Sequence, residues 1–215
     1  MSTLTRGGRR ETVKAEKRRR IIDAARREFS ACGFERATLA SIADGAGVAV
    51  GTLFLYARDK RELLLMVFND ELEHITDRGL AAVRNDRPLV DELVAYYEMR
   101  LAFWGANHEL ARPVTADIFK SDRPGEAGPE LQRIRDRQER VEAAMCTILR
   151  DYIERTGCTP RADVEVLARE LHYLYIGVLR WWLCAVDPRL EDAVADLRRF
   201  FDLALFGMIA PDRSP

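Results

Sequence analysis

Apolar residues recur at helical spacing along most of the chain, and no stretch alternates with the period of two that a half-buried strand needs. The most informative part of this pattern runs from Thr38 to Met66, TLASIADGAGVAVGTLFLYARDKRELLLM. Leu39, Ile42, Ala43 and Ala46 fall on one face of a short helix, and Gly45 and Gly47 then interrupt it. Val48 restarts the pattern, and Leu53 and Tyr56 carry it onto a second helix. Two short helices joined by a glycine-bearing turn have the shape of a helix-turn-helix, in which the second helix enters a DNA groove.

The flanking segments extend this reading. A helix is expected from about Val13 to Cys32, with Ile21, Ile22, Ala25, Phe29 and Cys32 on its apolar face and Gly33 at its C′ position. Residues 1–12 contain Gly7-Gly8 and are expected to form a flexible basic arm. Thr38 is placed to cap the next helix, and the third should cover about Ala49–Tyr56. Asp59 should cap a fourth, with Glu62 as its capping-box partner, running on toward Val83. Further helices are expected over about 89–104, 108–120, 129–155, 162–186 and 188–209, separated by Pro88, the loop SDRPGEAG, the break Gly157–Pro160 and Asp187-Pro188. The fold class is therefore all-α with about nine helices. The expected organisation is an arm (1–12), a helix-turn-helix domain (13–58) and a larger helical domain (59–215).

Composition narrows the function. With 215 residues and 47% hydrophobic content, the chain can bury a substantial core. It has no apolar run of the roughly 18 residues a membrane helix needs and no secretory signal, so a cytoplasmic location and no membrane partner are expected. Cys32, Cys146, Cys158 and Cys184 form no CxxC pair, and His74, His108 and His172 are scattered. Reduced, mostly buried thiols and no metal or other cofactor are expected. The net charge of −1 hides an asymmetry: residues 1–62 hold fourteen Lys and Arg against eight Asp and Glu. Lys14, Lys17, Arg18, Arg19 and Arg20 concentrate that excess before Ile21, where it would aid approach to a polyanion.

The pieces IIDAARREFSACGFERAT and LASIADGAGVAVGTLFLYARDKRELL resemble the TetR family of bacterial transcriptional regulators. That resemblance is specific over about Ile21–Leu65 and implies a DNA-binding head joined by the fourth helix to a body that binds a small effector and dimerises. It implies a phosphate contact from Thr38 at the start of the second helix. Gly51, Thr52 and Phe54 match recognition-helix positions, and Tyr56 and Lys60 match positions that contact phosphate. The chain departs from the pattern at Ala49 and Val50, where a hydroxyl and a polar residue are common, and at Phe54 and Leu55. Ala49 and Val50 are thus expected to touch thymine methyl groups, with Thr52 and DNA shape supplying the rest of the readout.

In the larger domain, Tyr96, Tyr97, Trp104 and Phe119 accompany two polar residues at apolar positions, Arg100 and Gln138. With Met145 and Tyr175 they outline a mostly apolar effector cavity with a few polar anchors; ordinary core packing, with Arg100 and Gln138 reaching solvent, is the alternative. The last two helices are apolar around much of their circumference, which suggests burial on two sides, with a single, fully enclosed core as the alternative. Leu174, Gly177, Val178, Trp181, Leu197, Phe201 and Leu205 are the expected homodimer contacts. No nucleophile elbow, phosphate loop or metal-ligand spacing points to an enzyme. The expected function is an effector-responsive repressor on a palindromic, double-stranded operator, released by a small, largely apolar or aromatic molecule. The alternatives are a constitutive DNA-binding protein, or a helical enzyme or interaction protein whose head no longer binds DNA.

Overall fold

The helices follow the apolar spacing, and side-chain caps from Thr38 and Asp59 start two of them. The computed structural model describes residues 4–84, 86–106, 108–120, 128–160 and 162–211, with side chains left aside for 4–7, 116–120 and 206–211. The described helices are α1 (Leu4–Arg36), α2 (Leu39–Ala46), α3 (Val50–Leu53), α4 (Lys60–Ala81), α5 (Leu89–Ala106), α6 (His108–Lys120), α7 (Pro129–Thr156), α8 (Val164–Leu183) and α9 (Leu190–Met208). Two three-residue strands, β1 (Cys158–Pro160) and β2 (Ile209–Pro211), pair antiparallel with Cys158 opposite Pro211. This small ribbon is an addition to the all-α expectation, since three residues are too few to display a period of two.

The chain divides into two compact units. The first comprises residues 1–71 and 113–132, the second 72–112 and 133–215. One division falls inside α4, whereas the sequence suggested a boundary before it, at 58/59. Leu63, Leu64, Leu65, Met66, Val67 and Phe68 explain this, because all are buried and tie the start of α4 into the first unit. Another falls at Pro113, the proline inside α6, which has no backbone N–H for the helical ladder.

Within the first unit, α1 starts at Leu4, well before Val13, so the expected arm is helical over its described residues. The segment carries Arg6, Arg9, Arg10 and Glu11, residue types that propagate a helix without packing, and Thr12 Oγ1 donates to Gly8 O at 2.8 Å. At the far end Gly33 has φ 77° and ψ 168°, a backbone closed to other residues, and the chain kinks there. Phe34 then folds back on Phe29, with ring centroids 5.9 Å apart. A buried polar node fastens α1, α4 and the start of α7. Asn69 Nδ2 donates to the main-chain and side-chain oxygens of Glu130, both at 2.8 Å. Arg18 joins the same node through Asp70 at 2.6 Å and Glu130 at 3.2 Å.

In the second unit the core is aromatic. Tyr97 stacks on Tyr175 at 4.5 Å and meets Phe201 edge-on at 5.6 Å, drawing α5, α8 and α9 together. Gly79 of α4 lies against Tyr96, where an added Cβ would come within 2.8 Å of the ring. Asn69→Ala is expected to lower stability by about 2 kcal/mol, because it strips a donor from the buried Glu130 carboxylate. Chemical denaturation of the full chain against wild type measures this, and an unchanged midpoint would show the node to be dispensable.

Candidate functional site

The helix-turn-helix is built by capping. Thr38 Oγ1 accepts from Ser41 N at 3.1 Å and starts α2. Gly47 ends it with φ 64° and ψ 42°, its N–H bonding back to Ala43 O and Asp44 O. Arg20 and Arg27 cover the next carbonyls: Arg20 Nη2 donates to Ala46 O and, at 3.2 Å, to Gly47 O, and Arg27 Nη2 to Gly45 O at 3.4 Å. α3 is shorter than the expected Ala49–Tyr56. Only Val50–Leu53 is α-helical, with Ala49 as the N-cap residue, and turns carry the chain on through Leu55 N→Thr52 O and Tyr56 N→Leu53 O. Asp59 Oδ1 caps α4 by accepting from Glu62 N at 2.8 Å. The reciprocal arm of the expected capping box differs, as Glu62 Oε2 takes the N–H of Arg58 at 2.8 Å.

This framework presents an apolar surface. Val50 is 39% exposed, Phe54 49% and Leu55 80%, while Leu53 is fully buried. Ala49 and Gly51 are exposed and Thr52 is half-buried. A Cβ added at Gly51 would meet nothing within 4 Å, so no packing inside the chain demands glycine there. Thr38 lies exposed at the start of α2. Tyr56 is half-buried, and its hydroxyl makes a long bond of 3.5 Å to Lys14 O. Lys60 is engaged within the unit: its Nζ donates to Glu35 O at 3.0 Å and Ala37 O at 3.2 Å, and lies 4.7 Å from the Phe34 ring centroid. Of the five basic residues before Ile21, Arg18 and Arg20 are likewise used internally, whereas Lys14, Lys17 and Arg19 are exposed. Arg9 and Arg10 lie exposed further up the same helix.

The second unit holds the other group of candidates. Tyr96, Tyr97, Arg100, Trp104, Met145 and Tyr175 are all buried; Gln138 is half-buried, and the side chain of Phe119 lies outside the described residues. Arg100 Nη1 donates to Thr76 Oγ1 at 2.7 Å, and Trp104 Nε1 donates to the Tyr175 hydroxyl at 3.2 Å. Sequence reasoning missed His172, one turn before Tyr175 on α8, with ring centroids 6.0 Å apart. Burial, with Arg100 adding to it, pushes its pKa down to about 4. The Tyr96 and Tyr97 hydroxyls, Arg100 Nε and His172 Nδ1 are buried without a hydrogen-bond partner. Burial raises the pKa of both tyrosines, that of Tyr97 strongly, so both stay protonated and able to donate.

The expected dimer contacts separate into two sets. Val178, Leu197, Phe201 and Leu205 are corrected to core positions of the second unit, since each is 6% exposed or less. Helices apolar on two sides must turn one side inward, and these residues are on it. Gly177 and Trp181 are exposed and Leu174 is half-buried; Tyr173 and Phe200 join them as exposed aromatics. With Trp182 and Ala193 they line a groove of about 570 Å³ along α8 and α9. Of the cysteines, Cys146 and Cys158 are buried, Cys32 is half-buried and Cys184 is exposed. Among the described residues no His, Cys, Asp and Glu come together as a metal site, and no helix is long and apolar enough to cross a membrane.

Two outcomes follow from this geometry. If Val50, Phe54 and Leu55 read thymine methyl groups, replacing contacted thymines by uracil in a selected binding sequence should weaken binding severalfold per site. Fluorescence anisotropy measures it, and unchanged affinity would assign the readout elsewhere. The second concerns His172. Its folded pKa lies below the unfolded value of 6.5, so between pH 6.5 and about 4 the unfolded chain binds the extra proton. Stability from this group is full above pH 6.5 and should fall by about 3 kcal/mol as the pH drops through that window. Thermal melts of wild type and His172→Phe across the window test it, the variant being expected to show the shallower decline.

Comparison with known proteins bears on both units. Residues 21–67, from the middle of α1 into α4, match the profile described as bacterial regulatory proteins, tetR family. The chain is 26% identical over 188 residues to an HTH-type transcriptional repressor of Mycobacterium tuberculosis, covering 85% of this chain and 91% of that protein. It is 26% identical over 109 residues to the fatty acid metabolism regulator protein of Bacillus subtilis, covering 51% of this chain and 56% of that one. Its fold is similar to Thermus thermophilus FadR, a TetR-family repressor solved with lauroyl-CoA, with a TM-score of 0.71 at 24% identity over 92% of this chain and 98% of that one. A capped helix-turn-helix over the residues that match the tetR family profile, ahead of a helical unit of the same fold as Thermus thermophilus FadR, makes the chain similar to the bacterial transcriptional regulators of that family.

Proposed function

We propose that the protein is a homodimeric repressor that leaves its palindromic operator when a small, largely apolar effector binds the second unit. The observation that carries this reading is the pairing of a helix-turn-helix with a buried aromatic centre whose polar atoms lack partners. A constitutive DNA-binding protein has no use for such a centre, because each unpartnered buried group costs about 1–3 kcal/mol. On the DNA side, Thr38 and Tyr56 hold the backbone, Val50, Thr52, Phe54 and Leu55 face the bases, and Lys14, Lys17 and Arg19 supply attraction. Lys60 first braces the end of α1 and keeps a third N–H for a phosphate.

Dimerisation rests on the exposed Tyr173, Gly177, Trp181 and Phe200 with the half-buried Leu174. An 81% exposed tryptophan beside an apolar groove costs solubility unless a second copy covers it. Two heads on one dimer then address half-sites about 34–36 Å apart or a multiple of that. Helices α4, α6 and α7 each run from one unit into the other and supply the route by which ligand binding alters DNA affinity. A coupling on the order of 1–3 kcal/mol suffices. The relatives are transcriptional regulators, and a non-enzymatic role in the cytoplasm, where bacterial DNA lies, agrees with them.

The test is a mobility shift of the full chain on the DNA upstream of its own gene. A palindrome-dependent shift that weakens steeply with salt is the expected result. Trp181→Glu should sediment as a monomer and lose at least tenfold in operator affinity. A wild-type monomer, or equal binding to a single half-site, would refute the dimeric reading.

A further inference from the structure

Among the described residues, the second unit buries a cation that no anion meets. Arg100 is 8% exposed, and among the described residues no carboxylate pairs with it. Its Nη1 is taken by Thr76 Oγ1 at 2.7 Å, while its Nε–H has no acceptor. The guanidinium carbon lies 5.5 Å from the Tyr175 ring centroid and 6.0 Å from that of Tyr96. Such contacts offset part of the desolvation cost but accept no hydrogen bond from Nε. The neighbouring Arg137 is also buried, but Glu73 pairs with it at 3.3 Å. A buried charge left this way is costlier than an apolar residue of the same volume, so packing alone does not account for Arg100.

Three of the four unpartnered groups at this centre share one requirement; the fourth, His172 Nδ1, can accept as well as donate. Tyr97 lies 4.8 Å from Tyr96 and 4.5 Å from Tyr175, and the hydroxyls of Tyr96 and Tyr97 are unpartnered. Both are donors in search of an acceptor, as is Arg100 Nε–H. The centre therefore offers three donors, one full positive charge and a wall of aromatic rings. A neutral ligand leaves the charge unmet, and a cationic one is repelled by it. A dianionic phosphate brings one charge more than Arg100 neutralises. A carboxylate carries one negative charge on two oxygens, which fits the planar guanidinium edge and still accepts from hydroxyls.

We propose that this cluster is the head-group site for a monocarboxylate, whose two oxygens seat on Arg100 and the Tyr96 and Tyr97 hydroxyls and whose apolar remainder lies among the aromatic rings of α5 and α8. The inference rests on the effector reading above and names the chemistry of that ligand. It also separates this site from recognition of a thioester, in which the buried acyl carbonyl is uncharged.

The test uses the full-length protein and matched probe pairs: benzoate with benzyl alcohol, octanoate with octanol, and laurate with dodecanol, plus lauroyl-CoA. Tryptophan fluorescence and calorimetry report binding. At least one acid should bind tenfold or more tighter than its alcohol, and Arg100→Met should erase that preference while Arg100→Lys keeps part of it. Ligand-free Arg100→Met should melt at or above the wild-type temperature, which a merely structural arginine would not allow. Equal binding within every pair, no binding of any acid, or an acid preference that survives in Arg100→Met would each overturn the proposal. Operator release is read separately by mobility shift. An acid that binds through Arg100 without releasing DNA would support the site and refute the switch. Release by lauroyl-CoA with no acid binding would support the switch and refute the site.

Discussion

Short helices cannot hold their own ends, and the DNA-reading part of this protein is made of two. Helix α2 has eight residues and α3 has four, both far below the length at which a helix persists in water. Their exposed backbone groups must be met from outside. Thr38 satisfies the start of α2, the left-handed Gly47 and the Arg20 guanidinium satisfy its end, and Lys60 meets carbonyls at the end of α1. Basic residues are consumed in this task, so a head of positive charge presents an apolar surface of Val50, Phe54 and Leu55. The proposed division of labour follows from it: the exposed bases on α1 attract DNA, and the surface of α3 with the turn after it reads the sequence.

The second unit solves the opposite problem. Its aromatic core is more than adequate to bury α5, α8 and α9 together, yet it carries Arg100, two tyrosine hydroxyls and a neutral His172 with hydrogen-bonding capacity left open. Natural cores satisfy nearly all such groups. Each group left open lowers stability relative to an apolar core, and on the proposed reading this open capacity is what a bound effector fills.

Much of this was legible in the sequence because it is local. Helix positions follow from apolar spacing, caps from Thr38, Asp59 and the glycines, and the family resemblance from residues 21–65. Arg100 could be singled out because it interrupts an apolar face. His172 was not, since one histidine among scattered others looks like any surface residue until the fold buries it. The strand pair of Cys158–Pro160 with Ile209–Pro211 was equally hidden, as its only signal is backbone pairing across fifty residues.

The sequence by itself determined the helices, their order, the DNA-reading motif and the class of protein, because caps and periodicity act over a few residues. Tertiary structure alone decided which like residues do which task. Arg18 joins a buried node while Arg19 faces solvent, and Phe201 enters the core while Phe200 and Trp181 stay outside. Composition cannot separate such neighbours. Their roles depend on whether an oxygen, a ring or water lies opposite, and that is fixed only when distant segments pack.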